Sequence, residues 1–225
     1  MEEHLMDFSD IKIPVYIINL KERIDRKKNI LKTFHGRNEF ELNIVPAIKK
    51  RRGADGLWQT IVSIINKVKD NDDEVIIICE DDHIFTRNYN RDLFLSEVIM
   101  AGQQGCQLLL GGIGNFRNAI PLSQHRLWVD WCWCTQFMVL YRPAFSLILN
   151  AKFGEKDVAD EFLSLLLSNK MVLYPFVSVQ KEFGYSDVTE SNNEVGHMDN
   201  LFKKTEERLN LLMNKFNQYC TTNNR

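Results

Sequence analysis

The feature that most constrains the fold is an apolar run that ends in three acids. Residues 74–79 read Glu-Val-Ile-Ile-Ile-Cys, and Glu80, Asp81 and Asp82 follow without a spacer. A short, continuous β-branched run predicts a strand that is buried on both faces, as in parallel sheets covered by helices. The run therefore predicts an α/β sheet whose carboxyl edge carries negative charge.

Strands and helices alternate along the rest of the chain. The predicted strands are Val15–Ile18, Glu41–Val45, Glu74–Cys79, Gln107–Leu110, Phe137–Leu140 and Met171–Tyr174. The predicted helices are Lys21–Phe34, Leu57–Val68, Leu93–Met100, Ala144–Leu149, Asp160–Leu167 and Asn200–Tyr219, with a turn at Gly53–Gly56. We expect a single α/β domain with a mostly parallel central sheet over residues 1–199, and a C-terminal helical appendage of the same domain over residues 200–225.

Composition and charge exclude several classes of protein. The 225 residues include 28 Lys and Arg against 30 Asp and Glu, which argues against a chain that grips nucleic acid over its whole surface. No apolar run reaches the roughly 18 residues of a membrane-spanning helix. The N-terminus lacks the apolar core of a secretory signal, and the five cysteines lack framework spacing. We therefore expect reduced thiols and a cytoplasmic protein.

The C-terminal helix leaves one question of location open. Its cations fit either a helix packed on the domain or peripheral contact with the inner face of an anionic membrane. They are Lys203, Lys204, Arg208 and Lys215. The sequence gives no indication of the oligomeric state.

The three consecutive acids need a physical reason. Neighbouring carboxylates raise one another's pKa unless a positive charge intervenes, and a divalent cation would supply that charge. Mg²⁺ and Mn²⁺ favour carboxylate oxygens together with substrate phosphates. Ligand sites of open α/β sheets also lie beyond the carboxyl ends of strands. The triplet therefore predicts a metal site, with a solvated acidic turn as the alternative.

Two basic segments are candidates for anion binding. Arg23 and Arg26 follow the strand that ends near Asn19 and Leu20, and their spacing places them on one helix face. Guanidinium groups suit phosphate oxygens, although a solvated helix face would give the same spacing. The run Lys49–Arg52 is either a solvated loop or a loop that contacts an anion.

Several blocks, in order, resemble glycosyltransferase family 25, which contains lipopolysaccharide- and collagen-modifying sugar transferases. The matching blocks are Val15–Leu20 with Arg23 and Arg26, Gly53-x-x-Gly56, Ile77–Asp82, Leu108–Gly111, Thr135–Leu149, Val158–Asp160, Tyr174-Pro175, Gln180 and Ser186–Val188. The resemblance covers about residues 13–190. The chain departs from the family pattern after the second glycine, where Thr60 keeps a hydroxyl but the usual Ser-His pair is missing, and at His83, where an aliphatic residue is usual.

The resemblance implies a GT-A-type fold, a UDP-sugar donor, Mn²⁺ or Mg²⁺, and inversion at the anomeric carbon. Ile18, Asn19 and Leu20 would line the uridine side of the site, with Ala47 nearby. Arg23 or Arg26 would approach the diphosphate. Asp82 would bind the metal directly, while Glu80 and Asp81 would contact ribose, sugar or metal-bound water. These assignments predict a nucleotide-sugar donor and a glycan acceptor as the partners, and no nucleic acid.

An inverting transfer also needs a base for the acceptor hydroxyl, and a carboxylate is the usual type. Asp160 matches the family's late block and is our first choice, although an N-cap of the following helix would also explain it. Asp130 and Glu161 are the rivals.

Aromatic, thiol and imidazole side chains give weaker signals. Trp128, Trp131 and Trp133 could form core or a platform for sugar stacking. Cys132 and Cys134 would share one side of a strand and predict core packing rather than zinc binding. His197 could complete a metal site from a late loop.

The predicted activity is hexose transfer, with galactose or glucose as a guess, from a UDP-sugar to a hydroxyl of a surface glycan or lipopolysaccharide precursor. One alternative is a Mg²⁺-dependent nucleotidyl- or phosphoryl-transfer enzyme that uses the same acids. Another is a non-catalytic transferase fold that binds glycan, because the Ser-His pair is missing.

Overall fold

The computed structural model describes residues 8–184 and 196–223. The helices are α1 (Ile24–Phe34), α2 (Gly53–Val68), α3 (Arg91–Gln103), α4 (Arg142–Asn150), α5 (Ala159–Leu166) and α6 (His197–Asn223). The strands are β1 (Ile13–Asn19), β2 (Phe40–Pro46), β3 (Val75–Glu80), β4 (His83–Phe85), β5 (Leu108–Leu110), β6 (Asn115–Phe116), β7 (Ala119–Pro121), β8 (Arg126–Val129), β9 (Cys132–Trp133), β10 (Phe137–Tyr141), β11 (Lys170–Leu173) and β12 (Ser178–Gln180). The block Ser186–Val188 lies outside the described residues.

One large sheet organises these elements. Its eight strands lie in the order β2-β1-β3-β10-β5-β11-β8-β7. β10 and β8 run antiparallel to their neighbours, and the other strands point in a common direction. Two small antiparallel ribbons, β4 with β12 and β6 with β9, lie outside this sheet. The predicted α/β class with a mostly parallel central sheet is therefore confirmed.

The strand that ends in acids is buried on both faces, as its composition predicts. Ile76 and Ile78 pack in one core cluster with residues of α2, α4, α5 and α6. Ile77 and Cys79 point the other way, into a second cluster with residues of α1 and α3. Full burial of one aliphatic side chain of this size contributes about 1.5–3 kcal/mol, so both helical layers hold β3 in place.

The C-terminal helix α6 is part of the same packing. Phe202, Leu209 and Met213 are buried in the first core cluster, whereas Leu211 and Tyr219 are exposed. Within the described residues, no helix is both long and apolar enough to span a bilayer. The domain boundary at residue 199 stays a prediction.

Candidate functional site

A cavity lies where three parallel strands end together. β2, β1 and β3 are adjacent and parallel, so their carboxyl ends meet at one edge of the sheet. The cavity has a volume of about 380 Å³. It is lined by Ile18, Leu20, Arg23, Arg26, Ala47, Ile48, Lys49, Lys50, Arg51, Gly53, Leu57, Glu80 and Asp81. Seven of the nine residues predicted from sequence for nucleotide and metal binding therefore reach one space; Asn19 and Asp82 are the exceptions.

Arg26 provides the positive charge that the acidic triplet needs. Its side chain is buried, and its Nη1 atom lies 3.2 Å from Oδ1 of Asp81 and 3.2 Å from Oδ2 of Asp82. Asn19, also buried, donates from Nδ2 to Oδ2 of Asp81 at 2.7 Å. An arginine from α1 therefore neutralises part of the repulsion within the acidic triplet, and the metal site stays a prediction. Contact of Arg26 with a diphosphate stays a prediction.

Asp82 is buried against this arginine and is not among the residues that line the cavity. Its Oδ2 atom accepts a second hydrogen bond from Nε2 of Gln180 at 2.9 Å, and its carbonyl accepts one from the amide of Lys181 at 2.7 Å. Its Oδ1 atom is buried and has no hydrogen-bond partner among the described residues. Burial raises the pKa of the Asp82 carboxyl to about 6. A buried carboxylate oxygen without a donor is costly, which is the condition that a bound cation would relieve.

Glu80 is the carboxylate that faces the cavity at the end of β3. It is half-buried, and burial followed by the charges of Asp82 and Asp81 raises its pKa well above the usual range. The described part of the chain contains no group of three His, Cys, Asp or Glu side chains arranged around a metal position. Glu80 and the Oδ1 atom of Asp82 could supply the one or two carboxylates that Mg²⁺ or Mn²⁺ uses together with phosphates and water.

The residues of the basic run Lys49–Arg52, between β2 and α2, make two kinds of contact. Lys49, Lys50 and Arg51 line the cavity, which gives it a positive wall. Arg52 turns away and donates to the carbonyls of Gly154 and Asp157 at 2.9 Å each, and also pairs with Asp55. Arg52 therefore ties the start of α2 to the loop before α5. Its three neighbours line the cavity and are the candidates for anion binding, although the Nζ atom of Lys49 also pairs with Oε1 of Glu22 at 2.5 Å.

Two residues of α2, Gly56 and Thr60, contact the segment at Ile48 that lines the cavity. A Cβ atom on Gly56 would lie 2.2 Å from the carbonyl oxygen of Ile48, so only glycine allows the two segments to pack this closely. The hydroxyl of Thr60 accepts from the amide of Ile48 at 2.9 Å and donates to the carbonyl of Gly56 at 2.7 Å. The predicted turn at Gly53–Gly56 is wrong, because both glycines belong to the first turn of α2. In the sequence, only the glycine and the hydroxyl at this spacing indicate the contact between α2 and the segment at Ile48.

Asp160 is held by backbone groups of two segments. Its Oδ2 atom accepts from the amide of Cys134 at 3.1 Å, and its Oδ1 atom accepts from the amide of Glu161 at 3.0 Å. Burial raises the pKa of this carboxyl. The N-cap alternative for Asp160 is wrong, since Val158 occupies the N-cap of α5. Of the rivals, Asp130 accepts from Asn118, and Glu161 accepts from the indole of Trp133; the choice of Asp160 as the base stays a prediction.

The cysteine and histidine predictions have mixed outcomes. Cys132 is buried in the core, but β9 ends at Trp133 and Cys134 turns with a φ of 67°, so the two thiols do not share one strand face. His83 is fully buried, with Nδ1 2.7 Å from the hydroxyl of Ser178. Burial, with the nearby charge of Arg37, lowers the pKa of His83 to about 3. His83 is therefore a neutral core residue, and His197 begins α6 with no described metal cluster around it.

No protein-family model and no curated protein matches the sequence. Solved structures match by fold: A197 from STIV aligns with a TM-score of 0.52 at 11% identity, over 79% of this chain and 87% of that chain. A UDP-glucose pyrophosphorylase solved with UDP-glucose aligns at 0.43 with 11% identity over 72% of each chain. HddC from Yersinia pseudotuberculosis aligns at 0.40 with 10% identity, over 87% of this chain and 78% of that chain. The A197 alignment shows a shared fold alone, and the lower TM-scores carry no further conclusion.

Proposed function

We propose that this chain is a metal-dependent, inverting glycosyltransferase that takes a hexose from a UDP-sugar. The observation that carries the proposal is a single cavity, at the carboxyl edge of three parallel strands, with apolar, cationic and carboxylate walls. A sugar nucleotide presents a flat base, a diphosphate and a hydroxyl-rich sugar, and each part has a complementary wall here. The resemblance to glycosyltransferase family 25 supports the same proposal from sequence.

The donor's nucleotide would lie along the ends of β1 and β2. Ile18, Leu20 and Ala47 offer apolar contacts for the uracil ring. The diphosphate would then face Arg23 and the cationic wall formed by Lys49, Lys50 and Arg51. Arg23 is half-exposed at the cavity wall, whereas Arg26 is buried against two aspartates, so we assign this contact to Arg23. This placement leaves the sugar beside Glu80.

Glu80 and Asp82 are the residues that would hold the divalent ion. Glu80 faces the cavity, and the Oδ1 atom of Asp82 needs a partner. A bound Mg²⁺ or Mn²⁺ would stabilise negative charge on the departing diphosphate. Asp81 would act indirectly, because its two oxygens accept from Asn19 and Arg26 and so keep the end of β3 in position.

Asp160 is the proposed general base. The acceptor oxygen forms a bond to the anomeric carbon, while the bond from that carbon to the diphosphate oxygen breaks and UDP departs with the electron pair. The proton of the acceptor hydroxyl passes to a carboxylate oxygen of Asp160. Burial raises the pKa of Asp160, which makes its ionised form a better proton acceptor at neutral pH.

The cations that line the cavity also fit a second candidate, nucleotidyl transfer. Arg23, Lys49, Lys50 and Arg51 all line the cavity, although Lys49 also pairs with Glu22, so a triphosphate would meet several cations there, as would the diphosphate of a sugar nucleotide. Such an enzyme would join a sugar phosphate to a nucleoside triphosphate and release pyrophosphate. The same carboxylates would hold its metal ion.

Product analysis separates these candidates. The protein with Mn²⁺ is incubated with UDP-galactose or UDP-glucose, and in parallel with UTP and a glycosyl phosphate, while phosphorus NMR follows the products. Slow release of UDP from a UDP-hexose, abolished by chelation of the metal, is the expected result. Pyrophosphate from the second mixture would favour nucleotidyl transfer. Turnover of neither mixture, with glycan binding intact, would favour a non-catalytic binding protein.

A further inference from the structure

The segment that leads from β9 into β10 brings an aromatic surface to the proposed site. The amide of Glu80 donates to the carbonyl of Gln136 at 2.9 Å, so this segment lies at the carboxyl edge of β3. Two residues earlier, the amide of Cys134 binds Asp160. The charge of Asp160 also contributes to the raised pKa of Glu80. The residues before Cys134 and the carboxyl of Asp160 therefore lie near Glu80, at the end of β3.

Those residues present two indole rings. Trp133 is 39% exposed, and its Nε1 atom donates to Oε1 of Glu161 at 3.0 Å. The Trp131 and Trp133 ring centroids lie 5.1 Å apart with the planes inclined by 57°. The hydrogen bond and the neighbouring ring restrict the orientation of Trp133 without covering it. A fixed, partly exposed indole beside carboxylates suits a sugar, whose C–H face stacks on the ring while its hydroxyls donate to the acids.

The charged residues near Trp133 differ in sign from the cations that line the nucleotide cavity. Glu80, Asp160 and Glu161 are carboxylates, whereas Arg23, Lys49, Lys50 and Arg51 line the nucleotide cavity. Arg117 lies 5.7 Å from the Trp131 ring centroid, and Arg208 donates to Asn115 and to the carbonyl of Phe116 in the strand that pairs with β9. The position next to Asp160 is nevertheless flanked by acids, so a phosphate placed there would be repelled.

We propose that Trp133, supported by Trp131, Glu161 and Asp160, forms the acceptor subsite, and that this subsite takes an uncharged sugar through its hydroxyl groups. This inference rests on the proposed function and narrows it. A glycosyl acceptor fits such a surface, whereas the glycosyl phosphate that a nucleotidyl transfer requires does not. The stacked ring sets which hydroxyl reaches Asp160, and so sets the position of the new linkage.

Binding of small probes to the protein loaded with UDP and Mn²⁺ tests this proposal. Methyl galactoside, methyl glucoside and glucosyl phosphate are titrated by saturation-transfer NMR and calorimetry. We expect a neutral glycoside to bind at least about tenfold more tightly than glucosyl phosphate, the effect of roughly one unit charge at close range. Equal or tighter binding of glucosyl phosphate, or no saturation transfer to either neutral glycoside, would overturn the proposal.

Two variants and one control give the test residue-level resolution. Trp133→Leu should weaken glycoside binding about tenfold, since an aromatic contact is removed. Glu161→Gln keeps an acceptor for the Trp133 indole and should bring glucosyl phosphate closer to the neutral probes. Trp128→Leu is the matched control, because the Trp128 indole donates to the carbonyl of Ser168 instead. Equal losses in Trp133→Leu and Trp128→Leu would contradict a specific subsite.

The affinity for UDP is measured in every sample, so that the two proposals can fail separately. If the wild-type protein binds UDP with Mn²⁺ but binds no neutral glycoside, the proposed donor site stands and the proposed acceptor subsite is wrong. If the protein binds neutral glycosides but no UDP, the acceptor subsite stands and the proposed donor is wrong. Trp133→Leu is expected to retain the UDP affinity of the wild type, because Trp133 does not line the nucleotide cavity.

Discussion

Nη1 of Arg26 lies 3.2 Å from Oδ2 of Asp82, and the two residues are only 4% and 5% exposed. The same nitrogen is equally close to Asp81. One arginine from the first helix thus holds the two aspartates that follow β3, and it is committed to them before any substrate binds. The two arginines that sequence spacing treats as equivalent, Arg23 and Arg26, consequently have different expected roles.

Matched substitutions of these arginines should separate stability from binding. Arg26→Met leaves two buried carboxylates without their partner, and we expect it to lower the free energy of unfolding by about 3 kcal/mol or more. Arg23→Met changes a half-exposed position at the cavity wall, so its unfolding free energy should stay within about 0.5 kcal/mol of the wild type. Its UDP affinity should fall instead. Urea denaturation and calorimetry measure both quantities, and equal destabilisation by the two substitutions would refute the distinction.

The Thr60 hydroxyl should affect the affinity for UDP through the position of the segment at Ile48, without contact with the ligand. Thr60→Val removes the acceptor for the part-buried amide of Ile48, and loss of such a hydrogen bond costs about 1 kcal/mol. Because the segment after Ile48 forms the cationic wall, we expect UDP affinity to fall at least about fivefold, a loss of roughly 1 kcal/mol. Thr60→Ser keeps the hydroxyl and is the control. UDP titration of both variants decides the matter, since unchanged affinity in Thr60→Val would remove the proposed link.

Arg51 and Arg52, which are neighbours in the basic run Lys49–Arg52, should have different functions. Arg51→Gln removes one cation from the cavity wall and should weaken UDP binding about fivefold, with a smaller dependence on salt, because one unit charge near a phosphate contributes roughly 1 kcal/mol in water. Arg52→Gln breaks contacts to Gly154 and Asp157 and should lower the melting temperature instead. Titrations at two salt concentrations, together with thermal unfolding, test this. A larger loss of UDP affinity in Arg52→Gln than in Arg51→Gln would reverse the assignment.

The buried imidazole of His83 predicts a pH dependence of stability. Its folded pKa of about 3 lies below the ordinary value of 6.5, so the unfolded chain binds a proton that the folded chain does not. This contribution is fully present above about pH 6.5, and stability falls by up to roughly 1.4 kcal/mol per unit as pH drops towards 3.

His83→Gln cannot gain that proton and should therefore show a shallower loss of stability on the acid side. Urea midpoints of both proteins between neutral and acid pH give the difference. Other titrating groups are common to both proteins and largely cancel in this comparison. Parallel curves would show that His83 does not titrate in this way.

Apolar patterning predicts the flanking helices and six of the eight strands of the large sheet, all except β7 and β8, and the three acids predict the edge at which the site lies. The apolar run before Glu80 requires burial on both faces, and the parallel ends of β1, β2 and β3 then converge. The pairing of β4 with β12 could not be predicted, because three-residue strands carry no periodic signal. The division within Lys49–Arg52 depends on the distant loop at Gly154–Asp157, and the partner of Asp160 depends on how the chain turns at Cys134. Such long-range contacts have no local signature.

The most direct test of the central claim is the calorimetric titration of UDP into the protein with and without Mn²⁺, in the wild type and in Asp82→Asn. The account predicts that Mn²⁺ tightens UDP binding to the wild type and that Asp82→Asn removes this enhancement while retaining the weaker, metal-independent affinity. Wild-type protein that does not bind UDP, or an enhancement by Mn²⁺ that survives Asp82→Asn unchanged, would contradict it.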